Sequence, residues 1–129
     1  MKNIIFAVTA LILTACTPVN TVEYIHAELL ARHTYVTDQD QYGVNDKWVM
    51  SLRGDCEDFA LFSYFYLVGK GYQPQFWLVR TETDELHAVL VVDGYEFDNR
   101  RKLRLLKNSD YKYIVEVKGD ALRRAIRKK

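Results

Sequence analysis

Gly54-Asp55-Cys56-Glu57-Asp58-Phe59-Ala60-Leu61-Phe62-Ser63-Tyr64-Phe65-Tyr66-Leu67-Val68-Gly69-Lys70-Gly71 reads as one helix with a cysteine at its start. Acidic residues fill the first turn, which suits the positive end of the helix dipole. Gly69 and Gly71 mark the stop, with Lys70 beside the last carbonyls. Between them, apolar and aromatic residues occupy nearly every face, and only Ser63 interrupts them. A helix that is apolar all round is a buried central helix. Cys56 therefore sits on the end of a rigid rod. Unpaired N–H groups there favour a thiolate, and the thiolate is the nucleophile. The alternative is a structural cysteine, since free Cys is among the most buried residue types.

Downstream the period changes from that of a helix to two. Gln75–Thr81 and Leu86–Val92 read as strands joined by a turn over Glu82–Glu85. Asp93-Gly94 is a strong two-residue hairpin signal, and Tyr95–Asp98 follows as a third strand. A two-residue turn pairs Val92 with Tyr95, so Asp98 falls opposite Val89. That places Asp98 diagonal to His87 and on the same face. Two more strands are expected over 101–106 and 111–117, with a turn at Lys107–Asp110 and a short basic helix over Ala121–Lys129. Upstream, Val22–Tyr35 has the apolar spacing of a helix, capped by Asn20 or Thr21. A polar loop from 36 should lead into a short helix from about Asn45. His26 and His33 have no motif around them and read as surface or packing residues. The fold class is α+β, with N-terminal helices and a central helix packed on an antiparallel sheet.

Length and charge bound the reading. The 129 residues allow one domain at most. Residues 16–99 hold five Lys/Arg against fourteen Asp/Glu, while residues 100–129 hold twelve against three. Either the two halves complement each other electrostatically, or the basic tail meets an anionic surface. Nothing aromatic or Gly-rich in the basic part suggests nucleic acid.

Residues 1–15 carry one early positive charge, a short apolar core and small residues, the pattern of a secretory signal. The stretch Leu13-Thr14-Ala15-Cys16 resembles a bacterial lipoprotein signal, in which cleavage precedes a lipid-modified cysteine. By that resemblance residues 1–15 are removed and 16–21 form a lipid-anchored tether. Thr17, not being Asp, implies the outer membrane, facing the periplasm. An acylated Cys16 leaves Cys56 as a free thiol in an oxidising compartment, which flags a reactive residue.

A thiol peptidase needs a thiolate, a histidine to carry the proton and a polar group to orient that histidine. Cys56, His87 and Asp98 supply the three residue types. Gly54-Asp55-Cys56-Glu57-Asp58-Phe59-Ala60, Leu86-His87-Ala88-Val89-Leu90 and Phe97-Asp98-Asn99 resemble the bacterial transglutaminase-like cysteine proteinases, which include periplasmic LapG-type enzymes that release surface adhesins. Tyr35-Val36-Thr37-Asp38 and the segment from Tyr42-Gly43 to Trp48 are similar to that family's stretch before the cysteine. The resemblance implies a papain-like, transglutaminase-type domain over 22–129 with a Cys56–His87–Asp98 triad. It also implies calcium bound by Asp55 and Glu57, whose carboxylate oxygens suit a hard cation; helix capping is the other reading of Asp55. The Cys56 N–H and Trp48 are candidates for the oxyanion site and cleft wall. Asp38, Asp40 and Asp46 do not fit the spacing of an EF-hand loop. The expected activity is an envelope-tethered cysteine endopeptidase acting on a protein of the envelope or cell surface. A transglutaminase-type acyl transferase and a non-catalytic lipoprotein binding module of the same fold are the alternatives.

Overall fold

The hairpin that carries the histidine is built as its sequence dictates. The computed structural model describes residues 21–44 and 47–127. Asp93 and Gly94 both take positive φ, 51° and 78°, as a tight two-residue turn requires. The turn sets the register: Val92 pairs with Tyr95, Val91 with Glu96 and Leu90 with Phe97. Strands β3 (Gln75–Arg80), β4 (Leu86–Val92) and β5 (Tyr95–Phe97) are the ones read from the alternating pattern. β6 (Arg104–Leu105) and β7 (Lys112–Val117) complete a five-stranded sheet in the order β6-β5-β4-β3-β7. Every neighbouring pair in it is antiparallel.

Strand β6 is much shorter than the 101–106 expected. Asp98 turns its carboxylate onto the Arg100 N–H, an Asx-type bond that bends the chain away from the ladder. Pairing resumes only at Arg104, and residues Leu106–Asn108 then close into a 3₁₀ turn.

Four α-helices form among the described residues. Helix α1 (Thr21–Arg32) buries Val22, Ile25, His26 and Leu29, the expected apolar stripe with one histidine in it. It ends three residues before Tyr35, where a short parallel pair begins instead. Helix α2 (Asp38–Tyr42) lies within the expected loop, while the start of the helix expected from about Asn45 falls outside the described residues and 47–52 are not helical. The Thr37 side chain accepts from the Asp40 N–H at the start of α2, and Gly43 ends it at φ 71°. Helix α3 (Cys56–Gly69) is the central rod, and α4 (Gly119–Arg127) is the terminal basic helix with Leu122 buried.

The core lies between α3, α1 and one face of the sheet. Phe59, Leu61 and Leu67 of α3 meet Phe76, Ala88, Leu90, Val92 and Phe97, all at 2% exposure or less. At roughly 25 cal/mol per Å² of apolar surface, each such side chain contributes about 1.5–3 kcal/mol. Val68 is exposed and Phe62, Tyr64, Phe65 and Tyr66 are half-buried, so α3 is covered less completely than its composition suggests. The opposite sheet face carries a smaller cluster of Val79, Val89 and Tyr111, flanked by Trp77 and Tyr113. Among the described residues no helix is long and apolar enough to cross a membrane.

Candidate active site

Two strands of two residues bring the N-terminal part of the chain to the start of α3. Strand β1 (Thr34–Tyr35) pairs in parallel with β2 (Arg53–Gly54). The Thr34 N–H donates to the Leu52 carbonyl at 2.9 Å, and the Val36 N–H to the Gly54 carbonyl at 3.0 Å. His33 adds a bond from Nδ1 to the Leu52 carbonyl at 3.0 Å. This clasp sets Asp38 beside the helix start.

Asp55 is the N-cap of α3, and Asp58 completes a capping box with it. Asp58 is fully buried; its Oδ1 accepts from the Val49 N–H at 2.7 Å and its Oδ2 from the Asp55 N–H at 3.4 Å. Gly54 has no room for a side chain, because a Cβ there would lie 2.1 Å from Asp58 Oδ2. Oxygens of Asp38, Asp55 and Asp58 lie within 4.8 Å of one another. Burial and then the neighbouring Glu57 push the Asp55 carboxyl up to about 6. Burial and the charges of Asp55 and Asp38 push Asp58 up to about 7, against the Val49 hydrogen bond. Asp38 Oδ2 accepts from the Lys47 N–H, while Asp38 Oδ1 is buried with no hydrogen-bond partner among the described residues. Three convergent carboxylates, one of them with an orphaned buried oxygen, are a donor set that fits a hard divalent cation.

Of the expected pair Asp55 and Glu57, only the first lies in this cluster. Its companions are Asp38 and Asp58. Glu57 instead accepts a hydrogen bond from Cys56 Sγ at 3.3 Å. Asp58 was legible from the Asp55-x-x-Asp58 spacing of a capping box. Asp38 was not, because only the β1–β2 pairing brings it there.

Cys56 is the first residue of α3 and a free, half-buried thiol. Its sulfur receives the backbone N–H of Ala88, the residue after His87. The helix N-terminus does not by itself make it a thiolate. Burial pushes the thiol up, Glu57 adds to this, and the Ala88 N–H opposes them without reversing the sign. In this arrangement Cys56 Sγ donates to Glu57 Oε2 at 3.3 Å, and burial and the carboxylates oppose the pull of the helix N-terminus towards a thiolate. Among the described residues no hydrogen bond joins Cys56 to His87.

His87 is buried on β4, and its Nε2 lies 2.7 Å from Asp98 Oδ1. The diagonal relation expected from the hairpin register is what joins them. Asp98 is 1% exposed and saturated with donors. Oδ1 also accepts from the Arg100 N–H at 3.1 Å, and Oδ2 accepts from Tyr111 Oη at 2.5 Å. Burial alone would push this carboxyl up; the bonds from His87, Tyr111 and Arg100 outweigh it and hold Asp98 below the ordinary carboxylate value. The Asp98 backbone carbonyl lies 2.6 Å from His26 Nε2. His26 and His33 thus have packing and tethering positions, as expected, and burial lowers both. Trp48 stacks on Phe76 with ring centroids 5.5 Å apart, so its ring packs on the core. Cys16 lies outside the described residues. Tyr111 and the arginines around it were missed in the sequence, because no motif surrounds them and they reach Asp98 only across the sheet.

The family described as bacterial transglutaminase-like cysteine proteinase matches residues 9–123. Calcium-bound LapG of Legionella pneumophila is similar in fold, with a TM-score of 0.66 and 24% identity over 81% of this chain and 67% of that one. LapG without that description gives 0.65 over the same shares, and its EGTA-treated form 0.63, over 81% and 66%, both at 24% identity. No curated protein sequence matches the chain.

Proposed function

The chain belongs to the bacterial transglutaminase-like cysteine proteinases and is a cysteine peptidase, and we propose that it cleaves a peptide bond through Cys56, His87 and Asp98. The observation that carries this reading is the buried bond of 2.7 Å from His87 Nε2 to Asp98 Oδ1. It commits one ring nitrogen to the carboxylate and leaves Nδ1 to meet the thiol. Cys56 Sγ turns from Glu57 to His87, which takes its proton. The sulfur attacks the substrate carbonyl carbon, forming the C–S bond. The Cys56 N–H, at the start of α3, faces the developing oxyanion. His87 returns the proton to the leaving amine as the C–N bond breaks. Water, deprotonated by His87, then hydrolyses the thioester. Asp98 holds the ring in one orientation and stabilises its positive charge throughout.

Calcium is proposed to bind Asp38, Asp55 and Asp58. Bound there, it supplies positive charge beside the thiol that offsets the carboxylates now raising its pKa. One of the similar LapG structures is calcium-bound. Cys16 is proposed as a lipid anchor that holds the enzyme in the bacterial envelope, at the outer membrane and facing the periplasm. Its substrate would then be an envelope or cell-surface protein.

The test is the rate at which iodoacetamide alkylates Cys56, with calcium and with EGTA, in wild type and His87→Ala. The expected result is a calcium-dependent rate that falls on the order of tenfold or more without His87. A rate indifferent to His87→Ala would sink the triad.

A further inference from the structure

The side chain beneath the His87–Asp98 pair belongs to none of the elements named so far. Tyr111 sits just before β7, at 7% exposure. Its hydroxyl lies 2.5 Å from Asp98 Oδ2 and 3.4 Å from Arg100 Nη1. A guanidinium only donates, so the phenol accepts from Arg100 and gives its own proton to Asp98. Its ring meets the His87 ring edge-on, with centroids 5.6 Å apart at 74°. The guanidinium carbons of Arg101 and Arg104 lie 4.7 and 4.6 Å from the Tyr111 ring centre.

Those cations are themselves held. Arg104 reaches Glu96 at 2.5 Å and Asp110 at 2.8 Å. Arg101 reaches Glu82 and Asp110, both at 3.3 Å. Tyr111 is therefore locked in place before it touches Asp98.

We propose that Tyr111 is a positioning residue for the peptidase: it fixes the plane of the Asp98 carboxylate so that Oδ1 meets His87 Nε2, while its ring limits rotation of the imidazole. The terminal torsion of an aspartate is broad, and His87 and the Arg100 N–H both bond Oδ1, so the Tyr111 hydroxyl is the hydrogen-bond donor that holds Oδ2. A competitor is near, since Arg101 Nε lies 3.9 Å from Asp98 Oδ2. Without the phenol bond the carboxylate can turn towards that guanidinium and swing Oδ1 off the ring. The hydroxyl proton stays on the phenol, because burial and then the adjacent Asp98 push its pKa up. Tyr111 transfers no proton in the reaction and acts only through Asp98. This inference rests on the triad proposed above.

The test is Tyr111→Phe in the full chain, which keeps the ring and removes the oxygen. Two measurements are made with calcium present: the alkylation rate of Cys56 at one pH, beside His87→Ala, and the imidazole resonances of protein labelled with ¹⁵N-histidine. The sequence has three histidines, so two act as internal references. His26 is bonded to the Asp98 backbone carbonyl and reports any shift of the chain itself. The expected result is a rate reduced on the order of tenfold, as for one buried hydrogen bond to a charged group. The His87 Nε2 proton signal moves, while the ring N–H signals of His26 and His33 hold. A rate that falls in His87→Ala but not in Tyr111→Phe would overturn this inference and leave the triad standing. Movement of all three histidines together would also overturn it, as general disruption. A rate unmoved by His87→Ala would remove the triad and this inference with it.

Discussion

Asp58 and Asp98 are both buried to within 1% of complete, yet their environments push them in opposite directions. Asp58 stands among Asp55 and Asp38 and is offered only backbone N–H groups. Asp98 is met by His87, Tyr111 and the Arg100 N–H, with the Arg101 guanidinium 3.9 Å away. Burial disfavours the charge at both places. What differs is the supply of donors: where it is sufficient the carboxylate stays ionised, and where it is short the site takes a proton or a cation. At one end of the candidate active site the carboxylate is matched by donors, and at the other the carboxylates crowd one another.

The largest way to break the comparison is at the donor-matched end. Asp98→Asn keeps the shape but replaces an acceptor with a donor that can face His87. Peptide hydrolysis is expected to fall by on the order of 10³-fold or more, as when the orienting acid of such a triad is replaced. Retained activity in a turnover assay would mean that Asp98 does not orient His87.

The next effect is at the crowded end. Calcium at about 100 times its dissociation constant should stabilise the fold by ~2.7 kcal/mol near neutral pH, read as a rise in Tm over EGTA. The gain should shrink towards pH 5, as protons occupy Asp58 and Asp55, at about 7 and about 6. No calcium-dependent shift at any pH would remove the cation reading.

The smallest effect is the pH dependence in EGTA alone. Asp55 and Asp58 bind protons more tightly folded than unfolded, where a carboxyl sits near ~3.9. Their contribution to stability is present at low pH and lost as pH rises through about 6 and then about 7. Asp98 is lowered, so its contribution is present above ~3.9 and lost as pH falls through its folded value. Tm in EGTA should thus be higher near pH 5 than near pH 8, then drop in stronger acid. A flat profile over that range would show that the acidic cluster repels less than its geometry implies.

How far the sequence carried this picture depends on the range of the contacts. Asp93-Gly94 fixed a register, and the register put Asp98 next to His87, because hairpin geometry is local. Gly54 to Gly71 gave the helix and its cysteine for the same reason. The strand expected over 101–106 was lost to the Asx-type bond at Asp98, which periodicity does not record. Asp38 and Tyr111 reach their partners across the fold, from elements with no distinctive pattern. A dipole argument for Cys56 weighs only the helix, whereas burial and Glu57 act on the sulfur from outside it.

The β1–β2 clasp has a consequence for the order of assembly. Hairpin β4–β5 closes over two residues, whereas the clasp joins Thr34 to Arg53 and Tyr35 to Gly54. The longer loop costs more chain entropy and has only two residue pairs to offset it. The sheet and its His87–Asp98 pair should form early and open last, and the acidic mouth should close late and open first. Amide hydrogen exchange would read this directly. The Thr34 and Val36 N–H groups should exchange well before those of β3 and β4, and calcium should slow the first set far more than the second. Equal protection of the two sets without calcium would mean that the mouth is built into the same cooperative unit as the sheet.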